Sequence, residues 1–123
     1  STLYDKSAGA RPGHIPYAVF ADFNTFAYTD YLDAKGQPGK SSFQANHNVQ
    51  VLKKAADLKA AFAAKGIAPD KIVINYCEGG FRSGVYTLIL LGLGYPNVSN
   101  YDGSWNEWSK QGDQYPVSKI AGK

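Results

Sequence analysis

The sequence predicts an α/β fold with a central, mostly parallel sheet flanked by helices. Three observations carry that expectation. Ile72-Val73-Ile74 is a continuous apolar run of the kind found in strands buried on both faces, which occur in parallel sheets under helices. Val51, Ala55, Leu58 and Phe62 recur at spacings of four, three and four, and Gly66 sits where a helix-ending glycine belongs. Val85 to Leu93 is apolar on nearly every side, the mark of a buried helix. Strand and helix alternate along the chain, as α/β domains require.

In order, Thr2-Leu3-Tyr4-Asp5 reads as a short strand, and Gly9, Pro12 and Gly13 make a loop leading into Ile15-Pro16-Tyr17-Ala18-Val19-Phe20. From Asp22 to Asn48 the residues are mixed, with a turn at Gly36, Pro38 and Gly39. The periodic helix follows, Pro69-Asp70 turns the chain, and the apolar strand runs to a glycine-rich loop and the second helix. Tyr95-Pro96-Asn97 ends that helix, Val98 to Tyr101 forms a last short strand, and Trp105 to Ser109 forms a terminal helical turn. No internal repeat, low-complexity tract or linker interrupts the 123 residues, so residues 1–123 are expected to form a single domain.

Composition removes several function classes. A content of 44% hydrophobic and 19% charged residues is that of an ordinary globular protein, and a net charge of +3 is too small, with lysines too scattered, to argue for nucleic acid. The longest apolar stretch, Leu88 to Leu93, is too short to span a bilayer and is broken by Gly92. A single cysteine excludes an internal disulfide. The chain has no methionine, so Ser1 is not an initiator; export, activating cleavage or nicking of a longer polypeptide would each explain it. That absence leans the expectation towards an exported or periplasmic protein rather than a cytoplasmic one.

The candidate functional residue is Cys77, between the run Lys71-Ile72-Val73-Ile74-Asn75-Tyr76 and the loop Glu78-Gly79-Gly80-Phe81-Arg82-Ser83-Gly84. A strand, a glycine-rich loop and a helix start in that order gather backbone amides around one thiol, an arrangement that stabilises anions. The thiolate is the attacking form, and amide nests, helix N-termini and nearby cations all favour it. On this reading the amides of Glu78 through Ser83 surround the sulfur, Gly79 and Gly80 let the backbone turn, and Arg82 adds charge at the rim. An inert buried cysteine is the alternative, although it would need neither two glycines nor an arginine beside it. No cluster with metal-ligand spacing is present.

These residues also carry a family resemblance. The segment from Ile72 to Gly84, then Leu91-Gly92-Leu93-Gly94-Tyr95-Pro96-Asn97-Val98, then Tyr101-Asp102-Gly103-Ser104-Trp105-Asn106-Glu107-Trp108, resembles the C-terminal, catalytic-type half of a rhodanese-like domain. Upstream, Arg11-Pro12-Gly13-His14-Ile15-Pro16-Tyr17-Ala18 resembles the family's Gly-His-Ile-Pro-Gly-Ala signature, with Tyr17 in place of the second glycine. The resemblance implies a rhodanese-like fold and sulfur transfer of the thiosulfate or mercaptopyruvate sulfurtransferase type. Cys77 would attack the outer sulfur of a small donor, become a persulfide, and pass the sulfur to cyanide or a thiol. By matching position, Glu78, Gly79, Gly80, Phe81, Arg82 and Ser83 would bind the substrate, with no metal or organic cofactor beyond the Cys77 persulfide.

Family phosphatases and arsenate reductases carry a longer loop, with the arginine six positions after the cysteine. Here Arg82 comes five positions after Cys77, which favours sulfur transfer. A non-catalytic sulfur carrier or anion-binding module is the further alternative. Glu78 departs from many thiosulfate-specific members, which have neutral or basic residues there. A carboxylate at that place would oppose a dianionic donor and, facing inward, raise the thiol pKa.

Five more expectations follow. Arg11 reaches the active site from its neighbouring loop or lies solvated, and His14 fixes a loop near the sheet edge. Trp105 and Trp108 pack, with Trp105 also a candidate for the pocket wall. The aromatic stretch Tyr17, Phe20, Phe23, Phe26, Tyr28 and Tyr31 serves packing, since no lysines interleave with it for nucleic-acid stacking. Finally, a full rhodanese-like domain has a strand and a helix before the signature segment, and Asp5-Lys6-Ser7 is at best a trace of its Asp-x-Arg motif. The domain is thus expected to be N-terminally incomplete and to associate with the N-terminal part of a common precursor or another rhodanese-like chain.

Overall fold

In the computed structural model, which describes residues 9–23, 26–39 and 49–123, the periodic run over residues 55–62 and the apolar runs around residues 73, 89 and 98 each find an element, whereas Ile15 to Phe20 forms neither helix nor strand. The order is β1 (Tyr28–Asp30), β2 (Gln50–Leu52), α1 (Ala55–Ala64), β3 (Val73–Asn75), α2 (Phe81–Gly92), β4 (Val98–Asn100) and α3 (Ser104–Trp108). The chain divides into two compact units, one of residues 21–66 and one joining residues 1–20 to residues 67–123. The expected strand at Thr2 to Asp5 lies outside the described residues.

In the first unit β1 and β2 pair antiparallel, with Thr29 opposite Val51. The turn at Gly36 is closed by Asp33, whose Oδ1 accepts the amides of Lys35 (2.8 Å) and Gln37 (2.9 Å), an aspartate mimicking a backbone turn. Val51 therefore belongs to a strand, and the helical period extended one step too far. Lys54 is extended at φ −60°, ψ 150°, and α1 starts after it. Leu58 and Phe62 are the buried face of α1, and Phe26 meets Phe62 edge to face at 5.0 Å. Gly66, at φ +75°, ends the helix as expected, its amide bonded to Ala63 O at 2.9 Å.

The second unit is a strand, helix, strand, helix run. β3 and β4 pair in parallel, Val73 with Val98, Ile74 with Ser99 and Asn75 with Asn100, and α2 is the crossover that parallel neighbours need. Asn75 Nδ2 donates to Thr87 Oγ1 (3.0 Å), and Thr87 Oγ1 donates to Ser83 O (2.9 Å), so the end of β3 is tied to the first turns of α2. α2 closes in a Schellman motif. Gly94 at φ +88° donates to Leu91 O (3.0 Å), and Tyr95 N donates to Leu90 O (3.1 Å). Tyr86, Ile89, Leu90, Tyr95 and Trp105 are this unit's buried apolar residues.

Two expectations about burial are corrected here. β3 is not buried on both faces, since Ile72 is 78% and Ile74 64% exposed, while Val73 and Asn75, on the side of α2, are half-buried. Nor is α2 buried all round, because Leu88 is 71% exposed. A two-stranded parallel sheet under one helix covers one face of each, and apolar composition alone does not reveal which faces are covered. His14 exchanges both backbone hydrogen bonds with Ser118, at 2.8 and 2.9 Å, which makes it a bridge residue in a loop. Tyr17 holds φ +61°, the left-handed conformation for which a glycine is suited. No helix among the described residues is long and apolar enough to cross a membrane.

Candidate active site

β3 ends at Asn75 and α2 begins at Phe81, so Cys77 lies in the reversal between them. Gly80 makes that reversal at φ +91°, and a Cβ there would lie 2.6 Å from Asp102 O and 2.9 Å from Asp102 Oδ1. Handedness and space each demand glycine. The turn aims the Gly80 amide at the sulfur, at 3.2 Å, and Ser83, one turn into α2, places its hydroxyl 3.6 Å from Sγ. Ser83 Oγ also lies 3.0 Å from Gly80 O. Its single proton serves two acceptors, of which a thiolate is the stronger.

Burial alone would push the Cys77 thiol up. Hydrogen bonds from the Ser83 amide and hydroxyl and from the Gly79 and Gly80 amides outweigh it, bringing the pKa down to about 7. Half of the sulfur is then ionised near neutral pH. Arg82, expected to add charge beside the thiolate, is not among these causes; its Nη2 lies 3.4 Å from Glu78 Oε2 along the rim.

The segment 100–106 holds the loop from outside. Ser104 Oγ accepts the Cys77 amide (3.1 Å) and donates to Tyr101 O (2.7 Å); the residue is fully buried at φ +49°. Trp105 N donates to Cys77 O (3.0 Å), Asn106 N to Glu78 O (2.9 Å), and Asn100 Nδ2 to Gly80 O (3.1 Å). Behind the loop, Ile15 N donates to Tyr76 Oη at 3.2 Å, which anchors the Gly-His-Ile-Pro segment to the residue before the cysteine.

A cavity of about 410 Å³ opens over the sulfur, lined by Cys77, Glu78, Gly79, Phe81, Arg82 and Asn106. Gly80 and Ser83, both buried, bond to Sγ without lining the cavity. Two of the proposed site residues are elsewhere. Arg11 spends its guanidinium on the carbonyls of Ser109 (2.9 Å), Trp108 (3.1 Å) and Tyr115 (2.8 Å), bracing the end of α3. Trp105 is 1% exposed and serves the loop through its backbone amide rather than as a pocket wall. Sequence reasoning missed Ser104, Asn100 and Asn106. The Asp-Gly-Ser-Trp-Asn run was the available signal, since two of the three lie in it. Among the described residues no cluster of His, Cys, Asp and Glu is placed to hold a metal ion.

A cysteine at a strand end, its sulfur met by loop amides at the N-terminus of a helix, defines a class of α/β domains with a stabilised thiolate. Residues 5–111 match the model of the rhodanese-like domain, and the chain belongs to that family. It is 33% identical over 109 residues to a thiosulfate sulfurtransferase of Azotobacter vinelandii, covering 89% of this chain and 33% of that protein. It is also 33% identical over 106 residues to a sulfur carrier protein, TtuD, of Thermus thermophilus, covering 85% and 30%. A solved structure of an EanB variant, a cysteine persulfide in a tetrahedral intermediate state with ergothioneine, superposes with a TM-score of 0.62 at 28% identity. It covers 89% of this chain and 23% of that one. The chain spans about a third of the length of the curated relatives it matches.

Proposed function

We propose that this domain transfers a sulfane sulfur from a small donor to a thiophilic acceptor through a persulfide on Cys77. The observation that carries the reading is the sulfur itself, hydrogen-bonded by the loop at the bottom of an open cavity with its pKa brought down to about 7. With thiosulfate, the Cys77 thiolate attacks the outer sulfur and a new S–S bond forms. The old S–S bond breaks with its electron pair on the departing sulfite, leaving a persulfide anion held by the amides that held the thiolate. Cyanide or a thiolate then attacks the outer sulfur and Cys77 leaves as thiolate. Charge and atoms balance in both halves, and no metal or organic cofactor takes part.

A carrier that loads sulfur and delivers it without fast turnover is the second reading, favoured by the relative named as a sulfur carrier. Intact mass spectrometry after incubation with thiosulfate, mercaptopyruvate or polysulfide tests both. The expected result is a gain of one sulfur atom, lost on adding cyanide and absent in Cys77→Ser. If no donor loads Cys77, the transfer reading fails; loading with slow turnover selects the carrier.

A further inference from the structure

Residue 106 is tied to the cysteine by consecutive short links. Ser104 Oγ accepts the Cys77 amide at 3.1 Å, Trp105 N donates to Cys77 O at 3.0 Å, and Asn106 N donates to Glu78 O at 2.9 Å. Ser104 and Trp105 are buried, whereas Asn106 is exposed and lines the cavity over the sulfur. Its carboxamide stands against the loop, with Nδ2 3.4 Å from where a Cβ on Gly79 would be. Gly79 in turn is one of the residues whose amides bond to the sulfur. The side chain of Asn106 is thus held beside the thiolate by a backbone clamped to the cysteine loop.

That carboxamide has no hydrogen-bond partner among the described residues. Its neighbours in the wall differ from it, since Gly79 and Phe81 bring no polar side chain and Arg82 turns Nη2 along the rim to Glu78. When a thiolate attacks a donor's sulfur, the bond on the far side breaks and negative charge gathers on the group that leaves. The loop amides are directed at the sulfur, so the leaving group needs a hydrogen-bond donor from outside the loop. A neutral amide N–H answers to oxygen.

We propose that Asn106 is a specificity-determining residue: its Nδ2 donates to an oxygen of the leaving group, which favours sulfur donors with an oxygen-bearing leaving group over oxygen-free ones. The proposal rests on the Cys77 persulfide reading. With thiosulfate, Cys77 bonds to the outer sulfur, the old S–S bond breaks with its electron pair on sulfite, and Asn106 holds a sulfite oxygen. With a 3-mercapto-2-oxo acid the C–S bond breaks instead. Its electron pair moves onto the keto oxygen as an enolate, which Asn106 holds, and the thiol proton passes to the carbon. The products are a 2-oxo acid and the Cys77 persulfide anion. Inorganic polysulfide gives the same persulfide and a shorter polysulfide, with no oxygen for the amide to hold.

The test compares second-order loading rates of the full chain with thiosulfate, mercaptopyruvate and inorganic polysulfide at about pH 7.5, read by intact mass. Alkylation by neutral iodoacetamide corrects each variant for its thiolate fraction, and circular dichroism verifies folding. Asn106→Ala lowers loading from thiosulfate and from mercaptopyruvate roughly tenfold and leaves polysulfide within about twofold of the parent. Asn106→Leu, which keeps the bulk of the side chain without its donor, repeats that pattern. The proposal is overturned if either variant slows polysulfide as much as thiosulfate, since Asn106 would then only shape the loop. It is equally overturned if both oxygen-bearing donors load at the parental rate without the amide, or if the parent loads from polysulfide alone. A parent that loads from no donor defeats the persulfide reading as well; a parent that loads from all three, with variants indistinguishable from it, defeats the Asn106 contact alone.

Discussion

The floor of the site and its rim are built on opposite terms. At the floor, Gly80, Ser83 and Ser104 are buried, two of them at positive φ, and each is hydrogen-bonded to the cysteine. At the rim, Glu78, Phe81 and Arg82 are exposed, Phe81 at 84%, joined by one surface ion pair of the kind that contributes little to stability. The difference separates two tasks. The floor holds the sulfur as a thiolate through buried hydrogen bonds; the rim, which faces the donor on the proposed reading, carries exposed side chains that can change without disturbing the fold.

Three substitutions probe that division in order of size. Gly80→Ala places a Cβ 2.6 Å from a backbone oxygen in a left-handed residue, so an equilibrium urea titration should show a loss of about 2–4 kcal/mol together with lost sulfur loading. If Gly80→Ala is as stable as the parent, the floor is not rigid and the contrast collapses. Ser83→Ala removes one hydrogen bond to the thiolate, which should raise the thiol pKa by roughly one unit. The pH profile of Cys77 alkylation reads this. The parent rate should climb through about pH 7 and then level off, and the variant curve should lie at higher pH; an unmoved curve would assign the depression to the amides alone. Phe81→Ala, on the rim, should change stability by less than about 0.5 kcal/mol in the same titration. A larger loss would show that the rim also bears on the fold.

Legibility in the sequence followed the range of the interactions. β3, the glycine turn, α2, β4 and α3 are local, and their apolar runs and glycines marked them where the structure has them. Val51 misled because a residue four before Ala55 satisfies a helical period and also a strand position, and only its pairing with Thr29 decides. Ile72, Ile74 and Leu88 were read as covered because composition reports apolarity and not what lies across from it. Arg11 was hardest to place, since its partners lie 97 to 104 residues away and no local pattern links them. At the site itself, Cys77 with its glycines was legible; the carbonyl partners and the Glu78–Arg82 pairing depend on side-chain directions that a one-dimensional pattern does not carry.

The three clamps from residues 100–106 have one more consequence, for the way the loop keeps its polarity. The carbonyl oxygens of Cys77, Glu78 and Gly80 are each held by a donor, at 3.0, 2.9 and 3.1 Å. Half a turn of any of these peptide planes would break its clamp, at a net cost of about 1 kcal/mol each, and reverse the dipole of that peptide unit within the anion-holding loop. Resistance to peptide flipping is therefore shared among three anchors on a neighbouring segment, which keeps the loop's dipoles directed at the sulfur.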